Sequence, residues 1–169
     1  MVSIGELKKS LSSGVRKDKI VFSGVGKTTK ELKFAILNKI KQINVESIEE
    51  LEEIDEICKK IKKKIDICLR VNPDVNANTH DKISTGRSED KFGIPNIKIQ
   101  NIFKKYKNNK FINIIGLSIH IGSQIESLVP FKKAFSKIKD QIIILKKLGH
   151  SISTIDLGGG IGIMYNKKN

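Results

Sequence analysis

The first chemical signal is a run of glycines. Residues 158–162 read GGGIG directly after an apolar run. Successive glycines let backbone amides approach an anion closely, as phosphate loops do, and they also serve as plain flexible turns. A dinucleotide-binding fingerprint would need glycine at 163, where Ile163 stands. A second glycine turn, GVGKT at 24–28, ends like a nucleoside-triphosphate loop. That pattern requires its first glycine at 21, which is Val21, so Thr28 reads better as a helix cap. His120 closes an apolar run beside Gly122 and Ser123. An imidazole in that position stacks on a cofactor, shuttles a proton, or serves as a structural histidine. Arg70, one of only three arginines, closes another apolar run. A guanidinium there suits either oxyanion recognition or a structural ion pair. His80, His120 and His150 lack metal-ligand spacing, so no metal site is expected.

These residues need elements to hold them. Short β-rich runs at 19–22, 43–45, 65–71, 112–121 and 152–157 read as strands. Between them lie amphipathic helical patterns. Thr28 with Glu31, and Ser47 with Glu50, have capping-box spacing. Ile48, Leu51, Ile54, Ile57 and Ile61 mark one apolar helix face. Pro95 fits the first position of a helix to about Tyr106, and Gly149 ends a helix starting near Phe131. The stretch 72–93 reads as a long polar loop. Alternating strands and helices imply a parallel sheet with helical crossovers, open or closed into a barrel. In both, function sits at the carboxyl ends of the strands. The pattern starts in a helix with no preceding strand and ends on the glycine loop, so about five strands of a barrel's eight are expected.

Composition narrows the function classes. The chain of 169 residues carries a formal charge of +14, but 29 of its 32 basic residues are lysine. Abundant Lys, Ile and Asn is what an AT-rich coding bias produces. Base readout leans on arginine and strand stacking on aromatics, which make up 5% of the chain, so nucleic-acid binding is not expected. No apolar run approaches the ~18 residues of a membrane span, and no secretory h-region follows Met1. Cys58 and Cys68 read as two reduced thiols in a cytoplasmic protein.

Taken together, VFSGVGKT (21–28), NVES (44–47), RVNPDV (70–75), THDKISTG (79–86), KFGI (91–94), HIGSQ (120–124) and DLGGGIG (156–162) resemble the diaminopimelate decarboxylase family, in the family's order and across essentially the whole chain. HIGSQ with the THxxISTG loop separates this family from ornithine and arginine decarboxylases, which typically have Gly where Gln124 stands. The resemblance implies an α/β fold, a partial (β/α)8 TIM barrel of alanine-racemase-like type. It implies pyridoxal 5'-phosphate as cofactor and decarboxylation of meso-diaminopimelate to L-lysine by a homodimer. By the same resemblance His120 stacks on the cofactor ring, Ser123, Gly158, Gly159 and Gly160 bind its phosphate, and Arg70 approaches its phenolic oxygen. Glu46, at a strand end, is a further candidate.

The sequence also departs from the family pattern. The cofactor-anchoring lysine of a YAxKAN-type segment is not present, and Lys27 belongs to a different motif. Ser118 stands where many relatives have His or another polar residue. By the same resemblance the barrel's last strands and the β-rich C-terminal domain are expected to be absent from residues 1–169. Residues 1–169 are therefore expected to be an incomplete cofactor-binding barrel domain, a central fragment that makes non-covalent contacts only and is inactive alone. The alternatives are a non-catalytic phosphate-binding remnant, another amino-acid decarboxylase of the same fold, or a basic nucleic-acid binder.

Overall fold

The computed structural model of the chain describes residues 1–75 and 92–163. The 79–86 motif with His80 lies outside the described residues. The elements are α1 (Ile4–Ser12), β1 (Val21–Phe22), α2 (Thr29–Leu37), β2 (Gln42–Val45), α3 (Ile48–Ile61), β3 (Ile65–Asn72), β4 (Ile94–Pro95), α4 (Asn96–Tyr106), β5 (Ile112–Ser118), α5 (Leu128–Lys147) and β6 (Thr154–Asp156). Five strands run parallel in the order β1-β2-β3-β5-β6. This is the expected half of a parallel barrel.

Local chemistry sets the boundaries. Thr28 and Glu31 form a complete capping box at α2. Ser47 caps α3 by accepting from the Glu50 amide, but the Glu50 carboxylate does not return the bond and turns to Lys27 instead. Two readings need adjustment. Pro95 is the residue before α4, not its first turn, because it is paired with Asn72 as β4 against β3. β5 stops at Ser118, so His120 lies two residues past the strand. No strand precedes α1, as expected, but Met1 lies against the β1 edge: its ammonium donates to Val21 O at 2.9 Å, and the Ser23 amide donates to Met1 O at 2.7 Å.

Side chains alternate across a strand, so the sheet has two faces. Phe22, Ile43, Val45, Ile67, Leu69 and Leu117 are buried in one apolar core with Leu32, Leu51, Ile54, Ile99 and Ala134 from the helices. The other face is polar. Register pairs Asn44 with Cys68, Arg70 with Ser118, and Ser118 with Asp156. β2 and β6 are separated by two strands, roughly 14 Å in a flat sheet at ~4.8 Å per spacing. Yet Asn44 Nδ2 donates to Asp156 Oδ2 at 2.7 Å. The sheet is therefore curled into a trough, with this hydrogen bond spanning its concave side.

The lysines do not gather into one basic face; exposed lysines occur on all five helices, from Lys8 on α1 to Lys147 on α5. Among the described residues no helix is long and apolar enough to cross a membrane. Both thiols are buried and unbridged, and burial pushes Cys58 up to about 11 and Cys68 up to about 12.

Candidate functional site

The concave face opens at the carboxyl ends of the strands into a cleft of about 320 Å³. Its walls include Ser23 and Gly24 after β1, Asn44 and Glu46 from the β2 end, Arg70 of β3, Ser118 and His120 from β5, and Asp156 and Gly158 from β6. Three roomier hollows lie elsewhere, one at the amino ends of β3 and β5 and two between the end of β3 and α5, and none contains these groups.

Arg70 is held firmly. Its Nη1 donates to Glu46 Oε2 at 2.5 Å, and its Nη2 donates to the His120 carbonyl at 3.4 Å. Glu46 Oε1 accepts from the Gly24 amide at 3.1 Å. One carboxylate thus ties the β1 loop to the guanidinium. Both side chains are nearly buried, so removing either would leave an uncompensated charge. Burial pulls the His120 imidazole below its usual 6.5, and the Arg70 charge adds to this. His120 is therefore neutral at neutral pH, a flat ring on the cleft wall.

The glycine run packs against the segment after β5. A Cβ on Gly158 would lie 2.3 Å from Ile119 O and 3.2 Å from His120 Nδ1. A Cβ on Gly160 would lie 1.9 Å from Gly122 O, and its φ of +101° also excludes ordinary side chains. The loops are zipped by Ile125 N to Gly160 O at 2.9 Å and Gly162 N to Ile125 O at 3.0 Å. Ser123 is brought next to Gly160 by this packing. Gly159 faces open space.

His120, Arg70 and Gly158 line the cleft, while Ser123, Gly159 and Gly160 adjoin it through Gly158. Lys27 is not in the cleft. Its Nζ is buried, donating to Asn44 O at 2.9 Å and to Glu50 Oε1 at 2.7 Å, so it is not a phosphate lysine. Three wall residues were not foreseen from sequence as a group: Asn44, Ser118 and Asp156. Each is a polar residue between two apolar neighbours near the end of a strand. That alternation is the signal that marks them. The Ser118 hydroxyl is buried and has no hydrogen-bond partner among the described residues. Among the described residues no cluster of side chains could hold a metal ion.

The family model for the pyridoxal-binding domain of pyridoxal-dependent decarboxylases matches residues 1–169. The diaminopimelate decarboxylase of Zymomonas mobilis is 42% identical over 165 residues, covering 98% of this chain and 39% of that protein. The diaminopimelate decarboxylase of Helicobacter pylori, solved in complex with L-lysine, superposes with a TM-score of 0.94 at 38% identity, over 99% of this chain and 43% of the other. The M. jannaschii enzyme, also solved with L-lysine, gives 0.88 at 38% identity, over 99% and 39%. The chain thus spans about two fifths of the length of the relatives it matches. By sequence and by fold, it belongs to the pyridoxal-dependent decarboxylase family, matching the pyridoxal-binding domain along its whole length.

Proposed function

We propose that the chain is the pyridoxal-phosphate-binding part of a diaminopimelate decarboxylase, which releases one carboxyl group of meso-diaminopimelate as CO2 and leaves L-lysine. The observation that carries this reading is the cleft: a clamped cation, a neutral imidazole, and a glycine loop with open amides. The residues fit the cofactor. Among the described residues the buried Ser118 hydroxyl has no protein partner, and the Gly159 and Gly160 amides donate to no protein acceptor. Ser123, Gly159 and Gly160 would hold the phosphate. Gly158 would contribute close approach. Arg70 would meet the ring's phenolic oxygen, and His120 would stack on the ring.

When bound, the cofactor supplies an electron sink for the charge left on carbon as CO2 departs. The protein's part is binding and orientation. Glu46 fixes the Arg70 guanidinium, so its free edge enters the cleft already aimed. His120, kept neutral by burial, offers an apolar ring face rather than a second cation beside Arg70. Gly158 and Gly160 let the loop pack backbone against backbone on Ile119 and Gly122, which holds it beside Ser123. In this reading residues 1–169 are an incomplete barrel domain. The anchoring lysine, the remaining strands and a β-rich second domain belong to the other three fifths of the relatives' length. A cytoplasmic homodimer is the assembly and setting that go with it.

A chimera tests the reading. This chain replaces the matching 165 residues of the Zymomonas mobilis protein in a lysine auxotroph that lacks the decarboxylase. Growth without lysine is the expected result, and a stable, folded chimera that fails to restore it would overturn the proposal. The isolated chain is expected to release no CO2 from meso-diaminopimelate above a cofactor blank.

A further inference from the structure

The concave face carries a chain of side-chain hydrogen bonds that none of the cofactor contacts uses. Gln42 Nε2 donates to Asn44 Oδ1 at 2.9 Å. Asn44 Nδ2 donates to Asp156 Oδ2 at 2.7 Å and to Ser23 Oγ at 2.8 Å. Asp156 Oδ1 accepts from the Gly158 amide at 2.9 Å. Gln42 and Asn44 are buried. The chain runs from β2, across the trough, to the first glycine of the loop.

From this we infer that Asp156 is a positioning residue of the anion site: held from across the sheet by Asn44, its carboxylate captures the Gly158 amide and sets the path of the glycine loop. This inference rests on the proposed cofactor reading. Two features support it. A carboxylate beside a phosphate site is electrostatically unfavourable, so its presence calls for a compensating task. Its two oxygens have separate partners, one on each side of the trough, so it fixes loop position and strand curvature together. The Gly158 amide, committed to Asp156, is then not an anion donor. That role passes to Gly159 and Gly160, whose amides the turn leaves open.

The hydrogen-bond polarity allows a sharp test. In Asp156→Asn the new amide can still accept from Gly158, but its NH2 group faces the Asn44 NH2 group, two donors with no acceptor between them. Adding Asn44→Asp exchanges the partners. Asp at 44 then accepts from Asn at 156, from Gln42 and from the Ser23 hydroxyl. The readout is the affinity ratio of pyridoxamine 5'-phosphate to pyridoxamine, measured by calorimetry. Neither probe has an aldehyde to react with the 29 lysines. A general loss of structure lowers both affinities, whereas a displaced glycine loop lowers only the phosphate's share. The expected result is a fall of about tenfold or more in the ratio for D156N, with most of it restored in D156N/N44D. A wild-type preference for the phosphate that survives D156N unchanged overturns this inference alone. No phosphate preference in the wild-type chain overturns the cofactor reading, and the inference with it.

Discussion

His120 is governed by its surroundings more than by its own chemistry. Burial, Arg70, Glu46 and Asp156 all act on it, with burial and Arg70 pulling its affinity for a proton down and the two carboxylates pulling it up. The net result is a histidine that resists protonation in the folded chain. An unfolded chain has no such resistance and takes up a proton near the ordinary value of 6.5. The folded form therefore keeps its full His120 contribution above that value and loses it as pH falls through the window below it. Thermal unfolding between about pH 8 and about pH 5 checks this: the wild-type chain should lose more stability on acidification than His120→Gln. Equal losses would show that other groups carry the acid sensitivity. At this scale the sequence was informative where residue type is unusual. Arg70 stood out in a lysine-rich chain. Asp156 did not, because an acid before a glycine run reads as part of a turn until its partner, 112 residues away, is known.

At the level of elements, α3 and the β1–α2 turn depend on one ion pair. Lys27 leaves a glycine turn and ends buried against Glu50, the Asn44 carbonyl and the Phe22 ring. Burial pushes the Glu50 carboxyl up, and the Lys27 charge only partly offsets it. Removing the lysine leaves a nearly buried carboxylate without its counter-charge, held only by the Glu46 amide. Lys27→Met should cost about 3–5 kcal/mol in urea unfolding, and adding Glu50→Gln should recover part of that loss. A single variant as stable as wild type would refute the dependence. The same pair shows why element prediction succeeded only in part. Ser47 and Glu50 have capping-box spacing, and the helix does start there. Spacing alone does not reveal that Glu50 has a stronger suitor in another element. The helices were legible because Leu51, Ile54 and Ile57 recur at the helical period. β4 was not, because a two-residue pairing leaves no period to read.

As a whole the molecule is a half-barrel with one well-covered face and one edge that is not. Ile155 of β6 is 50% exposed and Leu157 just after it 45%, along a strand that pairs on one side only among the described residues. An apolar, unpaired strand edge favours association. Sedimentation of the isolated chain should show larger species growing with concentration, and Ile155→Lys should suppress them. A strictly monomeric chain at every concentration would contradict this. Alternation of strands and helices made the parallel sheet readable from sequence, but not its curl, which depends on contacts between distant residues. That curl also has a timetable. Asn44 leaves the ribosome 112 residues ahead of Asp156. At roughly 5–20 residues per second it waits on the order of 10 s for its acceptor. Until then the amides of Gln42 and Asn44 have only water or nascent neighbours to bond. The anion loop therefore cannot take its held path until residues 1–156 have all emerged, and a ribosome that stalls before residue 156 holds a helix-covered sheet with no cofactor cradle.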